Sequence, residues 1–215
     1  MDDERNIYRN WVRVGIYAGF AVSVIYPLMI FVPLSRKITL VFASLFGPLL
    51  MTASLGLYFF LKAHRKSVTV QLAVLSNIIA ASMVSLMLIV QFSVNLSMPG
   101  LMASAGGEVS EATKKWIWQV VDKVQLGMDV TWDIFIAIGT ILFGAATMKH
   151  PRFGKIFGLF GLLIGHFLLV FNLSTFPTPP GEAGLIDLGP AAGLWYLAAA
   201  LLMLRSLKWF DKQLS

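Results

Sequence analysis

Two carboxylates, Asp129 and Asp133, lie one helical turn apart inside an apolar stretch from Val124 to Met148. A charged side chain near the centre of a bilayer costs about 2.5 to 3.5 kcal/mol even on the scale taken from insertion experiments, so acids in such a stretch usually face a bundle interior, a wet cavity or a partner. Like charges four residues apart on a helix also repel each other. We therefore expect the pair to share a proton or to be neutralised by a partner, and to form the centre of a binding or proton-handling site.

The partner of this acid pair is predicted from depth in the membrane. His166 lies inside an apolar stretch, whereas His64 and His150 lie at the ends of such stretches. At about 1.5 Å of rise per residue, Asp133 and His166 reach a similar depth in neighbouring antiparallel helices. The sequence predicts an Asp133–His166 pair, and a histidine that only packs or hydrogen-bonds within the bundle is the alternative.

Other polar and aromatic residues gather in the same half of the apolar stretches and are candidates for the ligand- or proton-binding site. They are Gln91, Asn172, Trp195 and Tyr196. Hydrogen bonds between helices, at about 0.6 kcal/mol per pair, are the alternative explanation for the polar members. We expect Trp195 and Tyr196 to form walls of the site.

Glycines recur on one face of the fifth apolar stretch, at Gly154, Gly158, Gly161 and Gly165. Small residues let helix backbones approach closely in lipid, where the hydrophobic effect no longer drives helix association. The spacing predicts a tight helix seam, and Asn172 continues the same stripe. A ligand groove is the less favoured interpretation.

The composition indicates that the solvent of this chain is lipid. Of its residues, 57% are hydrophobic and 13% are charged, and the mean hydropathy is +0.76. Soluble domains carry roughly 25% charged residues. Six apolar stretches have the length of about 17 to 25 residues needed to cross a bilayer, or come close to it. They are 14–34, 38–61, 68–96, 124–148, 153–173 and 188–204. The predicted fold is a single all-α domain, 1–215, of six transmembrane helices.

Basic residues predict the orientation of these helices. Three Lys or Arg residues flank the spans in each of four segments, 12 of the 17 in the chain, if the amino terminus is cytoplasmic. Cytoplasmic loops carry such an excess, so we expect both termini to be cytoplasmic. The net charge of +6 is then explained by lipid headgroups, with no nucleic-acid partner.

Two of the segments predicted to lie outside the membrane are long enough to form structure of their own. From Ser97 to Lys123 the sequence starts with small residues and becomes amphipathic near Ser110, with Glu111 and Lys115 spaced for an ion pair. We expect a helix over roughly 110–122 lying on the outer interface. The second segment, 174–190, has three prolines between Phe176 and Gly181 and is predicted to be a stiff, extended connector or lid.

Several membrane chemistries are excluded by residue type. The chain has no cysteine, which excludes thiolate nucleophiles and cysteine-ligated metals. No predicted span has the mid-span lysine of a retinal protein, and no His-Glu-x-x-His motif of an intramembrane metalloprotease is present. We expect no resident metal or cofactor.

The carboxyl-terminal half, roughly 129–204, carries a family resemblance. Its segments 133–139, 149–154, 172–180, 187–190 and 193–196 resemble bacterial six-span membrane proteins known only as a domain of unknown function. The resemblance implies a bacterial inner-membrane location and six spans. It implies no activity and no catalytic residues.

Three functions remain open from the sequence. The favoured hypothesis is a protein that binds or transports a small ligand or a proton through Asp129, Asp133 and His166, with a homo-oligomer building the pathway. The alternatives are a structural or regulatory subunit whose acids bind a partner protein, and a metal-assisted lipid-modifying enzyme.

Overall fold

The computed structural model describes residues 2–104 and 109–214. All regular elements in these ranges are α-helices. They are α1 (Asp2–Phe31), α2 (Arg36–His64), α3 (Val68–Ser104), α4 (Glu111–Thr147), α5 (Gly154–Thr175), α6 (Gly189–Arg205) and α7 (Leu207–Leu214). Helices α1 to α5 are long and apolar enough to cross a membrane, and α6 with α7 makes a sixth if this pair, bent by 64°, counts as one span. The prediction of an all-helical chain with several membrane-length apolar helices is confirmed.

Helices that follow each other in the chain pack side by side, and α1 also packs against α6. Arg9 on α1 and Asp211 on α7 form a salt bridge of 2.7 Å, so the first and last helices meet at one end of the bundle. His64 is the last residue of α2, and His150 comes shortly after the end of α4. Their rings lie 4.9 Å apart at this same end of the bundle. We call this end of the bundle the terminal end. The opposite end holds the segment 176–188, and we call it the loop end.

Helices α3 and α4 are longer than the sequence predicts. Each has 37 residues, or about 55 Å of helix, against a hydrocarbon core of about 30 Å. The predicted outer loop is therefore mostly helical, although its residues 105–108 lie outside the described ranges. The interfacial helix predicted over 110–122 is wrong as a separate element, because these residues form the first turns of α4. Ser110 caps them by accepting from the Thr113 N–H, and Glu111 pairs with Lys114 rather than with Lys115.

The proline-rich segment between α5 and α6 is folded into turns, which corrects the prediction of an extended connector. The Ala183 and Leu185 N–H groups donate to the Pro179 and Pro180 carbonyls, at 3.0 and 2.8 Å. The Phe176–Pro177 peptide bond is cis. A chain of turns brings the residues before α6 back toward the bundle, where they can reach the neighbouring helix ends.

Helices α4 and α5 approach closely through glycines. A Cβ atom built at Gly158 would lie 2.6 Å from the Gly144 carbonyl oxygen, and one at Gly165 would lie 2.7 Å from the Ala137 carbonyl oxygen. Gly161 instead faces the ring of Trp195 on α6. Three of the four predicted packing glycines thus lie in close contacts. Gly154 does not, because it begins α5 at a φ of +83° with open space around it.

Candidate functional site

The acid pair lies on the side of α4 that faces α5. Asp133 is 8% exposed and its carboxyl interacts with the amide group of Asn172, which is 3% exposed. His166 is exposed on another face of α5, with its ring against Phe167. The predicted Asp133–His166 pair is therefore wrong. Residues 166 and 172 are turned by roughly 240° from each other on a helix, so only one of them can face α4.

A third carboxylate joins the pair from the turn segment. Asp187 interacts electrostatically with both Asp129 and Asp133. The Gly189 N–H donates to the Asp187 carboxylate at 2.8 Å, which holds this side chain at the start of α6. We call Asp129, Asp133 and Asp187 the acidic cluster. Within the described ranges no three His, Asp or Glu side chains are arranged to hold a metal ion.

A cavity of about 310 Å³ opens between α1, α2, α4 and α6. Its walls are mainly apolar, and its polar members include Tyr26, Trp132 and Tyr196. In the described part of the chain the buried Trp132 Nε1–H has no hydrogen-bond acceptor. We call this space the α1–α6 cavity. It is large enough for a small ligand, and Trp132 forms part of its wall.

The acidic cluster lies beside the α1–α6 cavity, although none of its three carboxylates belongs to the described lining. Gly189 and Pro190, which directly follow the Asp187 segment, line the cavity. Tyr26, another lining residue, lies within electrostatic reach of all three carboxylates of the cluster. An apolar space thus opens next to three carboxyl groups at the loop end.

A buried polar network adjoins the cavity at Tyr196. The Asn77 amide donates to Ser54 Oγ at 3.0 Å and to the Tyr196 hydroxyl at 2.8 Å, and Tyr196 also meets Thr140 Oγ1 at 3.1 Å. These four side chains come from α2, α3, α4 and α6. Sequence reasoning missed Asn77, although an asparagine in the middle of an apolar stretch was a usable signal. Tyr196 thus lines the cavity, and its hydroxyl belongs to a network that links four helices.

Two of the predicted site residues have other positions. Trp195 packs its ring on Phe157 at 4.8 Å and donates its Nε1–H to the Phe157 carbonyl at 3.0 Å. Gln91 is half-buried on α3. Neither belongs to the described lining of the α1–α6 cavity. Trp195 therefore joins α5 to α6, next to Gly161.

At the terminal end, His150 is 2% exposed in a cluster of aromatic rings. Its Nδ1 accepts the Arg152 N–H at 3.2 Å. Burial, with the nearby charges of His64 and Arg152, lowers the pKa of His150 from its ordinary value of 6.5 to about 3. The ring is therefore neutral in the folded protein at pH 7.

We expect this histidine to make folding less stable in acid. Below pH 6.5 the unfolded chain takes up a proton at His150, while the folded chain does so only near pH 3, so stability falls as pH decreases through this window. The expected loss is about 1 kcal/mol per pH unit between pH 6.5 and 5. His150→Asn keeps an acceptor for the Arg152 N–H and does not titrate. The free energy of unfolding of the wild type minus that of the variant should decrease by this amount per pH unit as the pH falls. A difference that does not change with pH would contradict the prediction.

Comparison of the chain with protein-family models, with curated proteins and with solved structures finds no match. The resemblance of the carboxyl-terminal half to bacterial six-span proteins stays a prediction.

Proposed function

We propose that this is a membrane protein that binds a small cation with an apolar body in the α1–α6 cavity. The observation that carries the proposal is the combination of an apolar space of about 310 Å³ with three carboxylates beside it. Small-molecule sites are typically mostly apolar cavities of about 300 to 1,000 Å³ with a few placed polar groups. The cavity volume is suited to a ligand that contains about one ring.

The charge of the ligand follows from the acidic cluster. Both salt bridges formed in the described part of the chain lie elsewhere, so Asp129, Asp133 and Asp187 have no basic partner there. Tyr26 and Trp132 add aromatic faces, which attract cations. A cationic headgroup beside the acidic cluster and an apolar body inside the cavity would use both features.

In this proposal the bundle has six spans in a bacterial inner membrane, with both termini cytoplasmic. The salt bridge between Arg9 and Asp211 supports an even number of crossings. The loop end and the acidic cluster then face outward. A proton released from the acid pair when a cation arrives would couple binding to pH, and a transport pathway would require a homo-oligomer of this small chain.

The test compares two probes of the same shape. Benzyltrimethylammonium carries one positive charge, and neopentylbenzene is its uncharged isostere. Equilibrium dialysis against the protein in phosphatidylcholine nanodiscs, with empty nanodiscs as the baseline, should show saturable binding of the cation in preference to the isostere. Asp187→Asn and Asp129→Asn should each weaken cation binding about tenfold, since a charge a few ångströms away is removed.

Asp122→Asn is the matched control, because Asp122 is an exposed acid on the same helix α4. We expect it to bind the cation like the wild type. Equal binding of the two probes, or equal loss in all three variants, would overturn the proposal.

A further inference from the structure

A second cavity, of about 550 Å³, lies at the terminal end, on the opposite side of the bundle from the acidic cluster. It is formed where α2 ends and α3 begins, and where α4 ends and α5 begins. Its cationic lining residues are Arg65, Lys149 and Lys155, and the rings of His64 and the buried His150 also line it. We call it the terminal cavity. No acidic residue belongs to its described lining.

The cations of the terminal cavity have no counter-charge in the described part of the chain. Neither of the salt bridges formed there involves Arg65, Lys149 or Lys155. Positive charges around one space repel each other unless an anion lies between them. This arrangement favours a negatively charged occupant.

His150 supplies an independent sign of a missing acceptor. Because its Nδ1 accepts the Arg152 N–H, the neutral ring carries its proton on Nε2. In the described structure this Nε2 is buried and has no hydrogen-bond partner. Buried donors are normally paired, and His150 lines the terminal cavity, so an oxygen atom that reaches Nε2 from this cavity would complete its bonding.

The amino-terminal end of α3 adds further donors. Ser67 caps this helix by accepting the Val70 N–H at 3.3 Å, and Ser67, Thr69 and Val70 all line the terminal cavity. The first N–H groups of a helix have no acceptor within it, and the helix dipole favours negative charge at this end. Backbone N–H groups, the Thr69 hydroxyl and two lysines are the donor set that binds phosphate.

We propose that the terminal cavity binds a terminal phosphate group, free or as a monoester, held by Lys149 and Lys155, by the start of α3 and by the His150 Nε2–H. The source of this group is either inorganic phosphate or the headgroup of an anionic lipid such as phosphatidate. The apolar residues Leu61 and Val70 also line the cavity and provide a surface for the first carbons of a lipid. The site is separate from the α1–α6 cavity, so it stands or falls independently of the proposed function.

The experiment uses the full chain in phosphatidylcholine nanodiscs and measures the melting temperature. Inorganic phosphate is added at constant ionic strength, with chloride as the reference salt, because exposed charges respond to ionic strength alone. In parallel, phosphatidate or phosphatidylglycerol is built into the discs, the second lipid being an anionic phosphodiester. We expect the wild type to be stabilised by phosphate over chloride, or by phosphatidate over phosphatidylglycerol.

Matched variants decide whether the terminal cavity is responsible. Lys149→Gln combined with Lys155→Gln should lose the stabilisation. Lys66→Gln combined with Lys208→Gln removes the same charge from exposed residues outside the described lining, and it should keep the stabilisation. His150→Asn removes the Nε2–H donor and should weaken binding of the stabilising probe about tenfold, as expected for one hydrogen bond to a charged group.

Each outcome has one meaning. A response to inorganic phosphate that the Lys149 and Lys155 variant loses and the Lys66 and Lys208 variant keeps assigns the site to a free anion. The same pattern with phosphatidate alone assigns it to a lipid headgroup. The proposal is overturned if neither probe stabilises the wild type. It is also overturned if the Lys66 and Lys208 variant loses the response equally, since the effect would then be general surface charge.

Discussion

Gly144→Ala is expected to destabilise the protein by about 2 to 3 kcal/mol, the upper part of the range for overpacking a close contact. An added Cβ would lie 2.7 Å from the Leu162 amide nitrogen and 2.9 Å from the Gly158 carbonyl oxygen. Both are backbone atoms, which cannot rotate away as a flexible side chain would. Helices α4 and α5 must separate, and the interaction of Asp133 with Asn172 across the same seam is then lost as well.

Gly127→Ala provides the control, since it makes the same change on the same helix. A Cβ at Gly127 would meet nothing within 4 Å. Because glycine inside a helix is less stable than alanine by about 0.5 to 1 kcal/mol, this variant should be neutral or slightly more stable. Unfolding by sodium dodecyl sulfate in mixed micelles measures both. Equal stability of the two variants would contradict a tight α4–α5 seam.

The all-helical fold and the glycine packing face were readable from the sequence, because both depend on local composition. Apolar length marks a membrane helix, and the spacing of Gly158, Gly161 and Gly165 marks a face of close approach. The carboxyl-terminal end of α3 was not readable. Pro99 and Gly100 are normally turn signals, yet the structure continues α3 through them to Ser104.

The wrongly predicted partner of Asp133 shows that depth in the membrane alone does not identify a contact between helices. His166 and Asn172 both lie on α5, and height alone favoured the histidine. Helix rotation decides instead, since the Asn172 side chain lies on the glycine face that packs against α4. The sequence already placed Asn172 on that stripe, so this contact was predictable if the rotation had been given priority.

The remaining site residues depend on the tertiary fold. Asp187 reaches Asp129 only because the turns before α6 fold back toward α4. Tyr26 and Trp132 share a cavity although more than a hundred residues separate them. No local sequence pattern predicts that these two residues lie close together. The cavity that both residues line forms only when four helices pack against each other.

Filling the α1–α6 cavity is expected to abolish binding of benzyltrimethylammonium. Gly193 lies on the α6 wall, and a Cβ there would meet nothing within 4 Å, so Gly193→Phe introduces a ring without a backbone clash. Ser23→Phe places a ring on the facing α1 wall. Neither change touches the acidic cluster, so any loss of binding arises from the occupied volume rather than from charge.

Gly127→Phe is the control for an added ring. Gly127 is equally open and lies outside the described lining of the cavity. We expect this variant to bind the cation with the wild-type affinity. Its melting temperature, measured beside those of the two blocking variants, shows that all three proteins are folded.

The affinity of benzyltrimethylammonium for the wild type, Gly193→Phe, Ser23→Phe and Gly127→Phe in phosphatidylcholine nanodiscs is the measurement that tests the cation site most directly. Saturable binding to the wild type and to Gly127→Phe, with none to the two blocking variants, is the predicted result. Wild-type affinity in both Gly193→Phe and Ser23→Phe would show that the cation binds elsewhere and would contradict the account.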